Sequence, residues 1–311
     1  ECFVWWWKKW PKHATPREDI PSETLEYLAA FVKAGLSATS AWQEIPGNLD
    51  SESPLRAIQE ALQHSGTLAD AIERATLHAA PEWRMLGATW GVARDSGSPL
   101  APSLEALSTS MMDRDHTRRE IAATLAGPVA TMRLVMVLPL LALGGGAVTG
   151  ADTAGILFAT PLGLMALGLA IVLMGAAWWW MRILQRDALP DRNPEELALE
   201  LFSIATAGGA LPEQAWSLVG EALEKYELEG STGSEGEALT ALSRRVGVPV
   251  SGLARARARL IRHRWRSEAL ASVNRLGVTM VIPLGVLVLP AFVLVAIVPM
   301  ALALWTQATA T

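Results

Sequence analysis

The chain has 311 residues, 51% of them hydrophobic and 18% charged, with a formal net charge of -5. Cys2 is the only cysteine, which excludes a disulfide framework and any four-cysteine zinc site within one chain. The acidic balance opposes nucleic acid as a partner, because binding to phosphate backbones rests on surplus cations.

Residues 1–19 read as an interfacial segment, in which Trp5, Trp6 and Trp7 stand beside Lys8 and Lys9 as in an aromatic membrane belt. The apolar run before Lys8 is too short for a secretory signal. Residues 20–127 follow as a first water-soluble helical domain. Leu25, Leu28, Val32 and Leu36 recur at helical spacing. Ser53-Pro54 and Pro81-Glu82 each open a helix, since proline is tolerated in a first turn. Gly35, Gly47, Gly66 and Gly97 punctuate the segments. No run of alternating β-branched residues competes, so the region is predicted to be a helical bundle.

Residues 128–184 form a hairpin of two membrane spans. Leu134 to Ala151 and Thr153 to Met181 carry no charge, are separated only by Asp152 and are bracketed by Arg133 and Arg182. Roughly 20 apolar residues suffice to cross a hydrocarbon layer. Pro139 lies in the first span. Small residues at spacing four, Ala142, Gly146 and Gly150 and then Gly155, Ala159 and Gly163, predict a close-packing groove. Trp178, Trp179 and Trp180 precede Arg182 as a second belt.

Residues 185–275 repeat the first soluble region in shortened form. Leu28 stands seven before Gly35, with Ala41-Trp42 beyond it; Phe202 stands seven before Gly209, with Ala215-Trp216 at the same distance. The stretch SGSPL (Ser96, Gly97, Pro99, Leu100) has its counterpart in VGVPV (Gly247, Pro249). The offset between copies falls from 174 at the first glycines to 150 at the prolines, which predicts that the second copy lacks the part around LRAIQEALQHSGTLADAIERA. Tandem helical domains leading into membrane fit a scaffold better than a catalyst.

Residues 276–306 form the last span. From Leu276 to Met300 no charge interrupts the chain, yet Pro283, Pro290 and Pro299 do. Proline in a lipid-embedded helix is tolerable where neighbouring helices repair the kink. Arg114, Arg118, Arg119 and Arg133 precede the first span and Arg182, Arg186 and Arg192 follow the second, while the hairpin tip has no basic residue. By the positive-inside rule both soluble domains face the cytoplasm, and the C-terminus lies outside.

Little chemistry competes with this reading. His116 and Glu120 stand one helical turn apart near Asp113 and Asp115, but no HExxH motif, phosphate loop or nucleophile grouping is present. No catalytic, cofactor or metal residue is therefore expected. The run RARARLIRHRWR, 255–266, holds six arginines close to a span, where they suit anionic headgroups or a protein partner. A small-molecule transporter or channel is the rival reading. It lacks the ionisable residues that usually couple transport, because none lies inside a span.

Taken together these motifs resemble the inner-membrane platform proteins of type II secretion and type IV pilus systems, in particular the B and C platform proteins of the tight-adherence (Tad, Flp) pilus. The likeness covers residues from about 20 to 305. It is carried by LGATWGVARDSGSPLAPSLEALSTSM, AGPVATMRLVMVLPLLAL and GADTAGILFATPLGLMALGLAIVLMGAAWWW, and by a closing PLG (Pro283, Leu284, Gly285) and LPAF (Leu289, Pro290, Ala291, Phe292) pattern before Pro299. The resemblance implies an all-α membrane protein with two cytoplasmic helical-bundle domains and about three transmembrane helices. It implies a non-enzymatic platform without cofactors, whose partners are a hexameric secretion ATPase, pilin or pseudopilin subunits, a second platform protein and further copies in an oligomer. Arg114, Arg118 and Arg119, expected to be exposed, are the positions expected to meet the ATPase.

Overall fold

The computed structural model describes residues 21–46, 54–64, 67–148, 160–186, 194–230, 234–299 and 301. The segment 1–19, Ser53, Gly47, Gly66, Asp152 and the groove positions Gly150, Gly155 and Ala159 lie outside them. Among the described residues the chain is helical and holds no strand. The helices are α1 (Pro21–Lys33), α2 (Ala38–Glu44), α3 (Pro54–Gln63), α4 (Leu68–Thr76), α5 (Pro81–Asp95), α6 (Leu100–Val148), α7 (Pro161–Arg186), α8 (Pro194–Ala207), α9 (Pro212–Lys225), α10 (Ser234–Val246) and α11 (Val250–Thr279). Two compact units result, one of Glu1–Arg118 with Arg192–Trp265, the other of Arg119–Asp191 with Arg266–Thr311.

In the first unit the two soluble regions share one core. Leu25, Leu28, Trp42, Ile58, Ile72 and Leu86 from the first region are buried in the same cluster as Leu201, Phe202, Val219 and Ala258 from the second. Leu36, which continues the α1 spacing in sequence, falls beyond the helix end and is exposed. The register between the regions has a conformational basis. Gly35 and Gly209 both end a helix with positive φ, at 95° and 97°. Each amide donates to the carbonyl three back, Val32 and Thr206, and the next residue reaches five back, Leu36 to Phe31 and Ala210 to Ala205. This is the left-handed helix stop that glycine enters without a Cβ clash. Gly97 repeats it with φ of 70°, while Gly247, with φ of 77°, ends its helix through an amide bonded four back to Ser243. Alanine at Gly35 or Gly209 is expected to cost about 1 kcal/mol each through left-handed strain, measurable as a lowered unfolding midpoint. A Cβ at either site would touch nothing within 4 Å, so the whole loss would come from the backbone.

The tryptophans after these stops differ in use. Trp42 is fully buried and meets Trp90 edge-on at 6.1 Å. Trp216 stacks on Phe202 at 4.3 Å, and the backbone of Gly236 lies close against the indole. The indole Nε1 of each is buried without a hydrogen-bond partner among the described residues. Between the Gly35 and Gly97 stops the first region also places α3 and α4, whereas α9 and α10 alone fill the corresponding interval of the second.

In the second unit, α7 packs on the end of the chain through Ala170, Ala291 and Val295, flanked by Leu173, Met174 and Leu294. Alanine at both contact points allows the close approach that membrane helices use. Leu276 and Met280 pack with Leu125 and Leu184. Leu134, Leu162, Met165, Ile171, Val278 and Leu289 point outward and are exposed. Arg182 lies over the Trp178 ring at 5.1 Å. Three helices are long and apolar enough to cross a membrane, within Leu100–Leu138, Pro161–Leu184 and Val250–Ile297.

The prolines of the last of these alter the helix itself. After Val281–Pro283 the chain takes a π-helical form over Leu284–Val288, an α turn over Leu289–Phe292, and a second π stretch over Val293–Ile297. Each π stretch ends two residues before a proline, Pro290 or Pro299. A proline has no N–H and its ring collides with the carbonyl four residues back; a wider turn relieves that contact. The Leu289 amide accordingly donates five back to Leu284, and the Val298 amide five back to Val293.

Candidate functional site

The densest charge constellation of the first unit lies where the start of α6, α8 and α11 meet. Glu196 and Glu200 are one turn apart on α8 and share a face, as do Ser110 and Arg114 on α6. Arg262 of α11 joins them. Its Nε donates to Glu196 Oε1 at 2.9 Å, one terminal nitrogen to Asp113 Oδ2 at 3.2 Å and the other to Glu200. Arg114 donates to the same Glu196 Oε1 at 3.1 Å and reaches Met85 Sδ at 3.2 Å. Ser110 donates to Glu200 Oε2 at 3.2 Å.

Burial decides what the cluster can do. The side chains of Arg262 and Glu196 are each only 11% exposed. Ion pairs in that setting are sparsely hydrated and hold firmly so long as every member stays. Burial by itself pushes the Glu196 carboxyl up, but the charges and hydrogen bonds of Arg114 and Arg262 outweigh it and hold the carboxyl below its ordinary range. The arrangement sets the Ser110 hydroxyl against Glu200, a carboxylate already engaged by Arg262. It is a tie that joins an element of the first soluble region to two elements of the second.

Arginine pairs extend along α11. Arg257 clamps Glu235 with both Nε, at 2.9 Å, and a terminal nitrogen, which lowers the Glu235 pKa. Arg266 meets Glu120 at 2.8 Å in the second unit. Three of the six arginines in the RARARLIRHRWR run are thus engaged within the chain: Arg257, Arg262 and Arg266. Elsewhere in the first unit, Arg84 donates to the carbonyls of Tyr226 and Glu227 at 3.1 and 3.0 Å, and Lys225 pairs with Glu73 at 2.6 Å. Burial and the neighbouring Glu73 raise the Tyr226 pKa.

The positions singled out by sequence divide. Arg118 and Arg119 are exposed, Arg118 pairing with Glu82 at 3.0 Å. Arg114 is not: its side chain is 15% exposed and held by Glu196, so the expected exposure fails there. Its place on α6, opposite Met85, turns it inward. Asp113 and Glu120, half of the conceivable metal face, are engaged by Arg262 and Arg266. Among the described residues no group of three or more His, Cys, Asp or Glu could hold a metal ion. Sequence reasoning passed over Glu196, Glu200 and Arg262 as a set. One signal was available, since Glu200 interrupts an otherwise apolar, buried helix, LALELFSIA, and an acid there needs a cationic partner.

Comparison with known families places the first region. Residues 24–146, from α1 through nearly all of α6, match the family described as type II secretion system (T2SS), protein F. No curated protein and no solved structure gives a match. The matched stretch contains the SGSPL turn and the first membrane-length helix, and it supports the likeness to the protein F family drawn from those motifs.

Proposed function

We propose that the protein is an inner-membrane platform of a type II secretion or type IV pilus system, of the tight-adherence (Tad, Flp) kind. In this reading two related helical modules, 20–127 and 185–275, face the cytoplasm and receive a hexameric secretion ATPase. The spans at 128–184 and 276–306 hold pilin or pseudopilin subunits for extraction from the bilayer. Further copies or a second platform protein complete the assembly, and the chain itself performs no catalysis.

The observation that carries the proposal is the match of residues 24–146 to protein F of type II secretion, running from soluble helices into a membrane-length one. The physical logic is transmission. Helices that leave a packed soluble core and continue into apolar segments can carry a displacement made by a motor. The exposed pair Arg118 and Arg119 is the proposed contact, with Arg114 supporting α6 behind it.

The test uses the full chain in nanodiscs, mixed with a hexameric secretion ATPase from the same organism. Retention of the ATPase is expected, falling at least about fivefold for the double variant Arg118→Glu, Arg119→Glu, as loss and reversal of two rim charges implies. Failure of the intact chain to retain the ATPase, together with normal piliation of cells lacking it, would overturn the reading.

A further inference from the structure

Beside the ion-pair cluster, α6, α8 and α11 leave a cavity of about 290 Å³ in the first unit. That is close to the lower end of small-molecule pockets, roughly 300 Å³. Its floor is apolar, with Leu107 and Ile204 both buried. Its charges do not balance locally. Glu200 is taken by Arg262 and Ser110, and Glu105 by Lys33 at 3.5 Å. Arg255 and Arg259, one turn apart on α11, are exposed, line the same cavity and have no ion-pair partner among the described residues. Arg257, Arg262 and Arg266 of the same run are all paired.

We propose that this cavity binds a small phosphorylated molecule, its phosphate held by Arg255 and Arg259 and its apolar body seated over Leu107 and Ile204. Two guanidinium groups on adjacent turns present several N–H donors to one anion, and charge-assisted bonds of this type are the strong ones. A concave site with buried apolar residues in its lining favours a free ligand over a flat partner surface. A bound molecule would touch α6, α8 and α11 together, and so would bear on the same junction as the ion-pair cluster.

The experiment measures equilibrium binding of ADP, with inorganic pyrophosphate as competitor, to the full chain in phosphatidylcholine nanodiscs. Saturable ADP binding that pyrophosphate displaces is expected. The double variant Arg255→Gln, Arg259→Gln should weaken it about tenfold or more, the scale of a lost charge-assisted contact. Ala106→Phe, which fills the cavity and leaves every charge in place, should weaken it as much. Arg264→Gln, an equally exposed arginine of α11 outside the cavity, should leave binding within about twofold. Absence of saturable binding of either probe overturns the proposal, as does an equal loss with Arg264→Gln, which would mean diffuse attraction to a basic helix. Displacement of ADP by phosphatidylglycerol added to the discs would assign the phosphate to a lipid headgroup and overturn the free-ligand proposal.

Discussion

Replacing Glu196 by alanine is expected to destabilise the chain by about 3–5 kcal/mol, the scale found when one member of a buried ion pair is removed. The carboxylate is the shared acceptor of Arg114 and Arg262, whose side chains are 15% and 11% exposed. Without it both guanidinium groups stay withdrawn from water with less compensation. Removing Arg56, whose pair with Glu60 is half exposed on α3, should cost no more than about 0.5 kcal/mol. Unfolding followed by tryptophan fluorescence in nanodiscs measures both. If the Glu196 variant loses no more than the Arg56 variant, the cluster is not the tie described above. The pH dependence has a definite sign. Because the folded protein holds the Glu196 pKa below its ordinary 4.5, the carboxylate's contribution is complete above that value. It is lost as pH falls through the lower, folded pKa, and the Glu196→Gln variant should show a correspondingly smaller loss between neutral and acid pH.

Alanine at Gly208 should also destabilise, by about 1–3 kcal/mol or more, with the sign reversed at a nearby glycine. An added Cβ at Gly208 would stand 2.5 Å from the Ser96 carbonyl oxygen, 2.7 Å from the Ser98 nitrogen and 2.9 Å from the Ser98 Cα. These are backbone atoms of the turn between α5 and α6, so no side-chain rotation relieves the clash and the elements must part, as in overpacked cores. Gly220, in the middle of α9, would meet nothing within 4 Å. Alanine there should stabilise by about 0.5–1 kcal/mol through helix propensity alone. Thermal midpoints for the two variants, measured side by side, separate close packing from general helix preference. Equal behaviour of the pair would remove the claim that the end of α8 is seated against the SGSPL turn.

Much of this architecture can be read in the chain, for reasons that are local. A helix stop needing positive φ is visible as glycine, and the Gly35 and Gly209 stops carry the same hydrogen bonds because the same residue type meets the same demand. The charge-free runs are legible because a hydrocarbon layer admits few alternatives. What stayed hidden is non-local. Arg262 lies 66 residues from Glu196 and 149 from Asp113, so nothing in its own neighbourhood distinguishes it from Arg255 or Arg259. Arg114 looks like Arg118 in sequence, yet a difference of one helical turn places one behind Met85 and the other in solvent. The prolines of the last span announce a disturbance, while the π form it takes depends on where the displaced carbonyls can go.

The shared core of the first unit also constrains biosynthesis. Its two contributors, Glu1–Arg118 and Arg192–Trp265, are separated by the whole of 119–191. When the earlier contributor leaves the ribosome its complement does not yet exist, and α5 lacks α8 and α9, the helices of the later contributor that it packs against. At about 5–20 residues per second the intervening stretch takes several seconds to be made, and it includes all of α7. Closure of the core of the first unit is therefore the later event, following synthesis of α7, and a nascent chain stalled before residue 192 is the form left for chaperones to shelter.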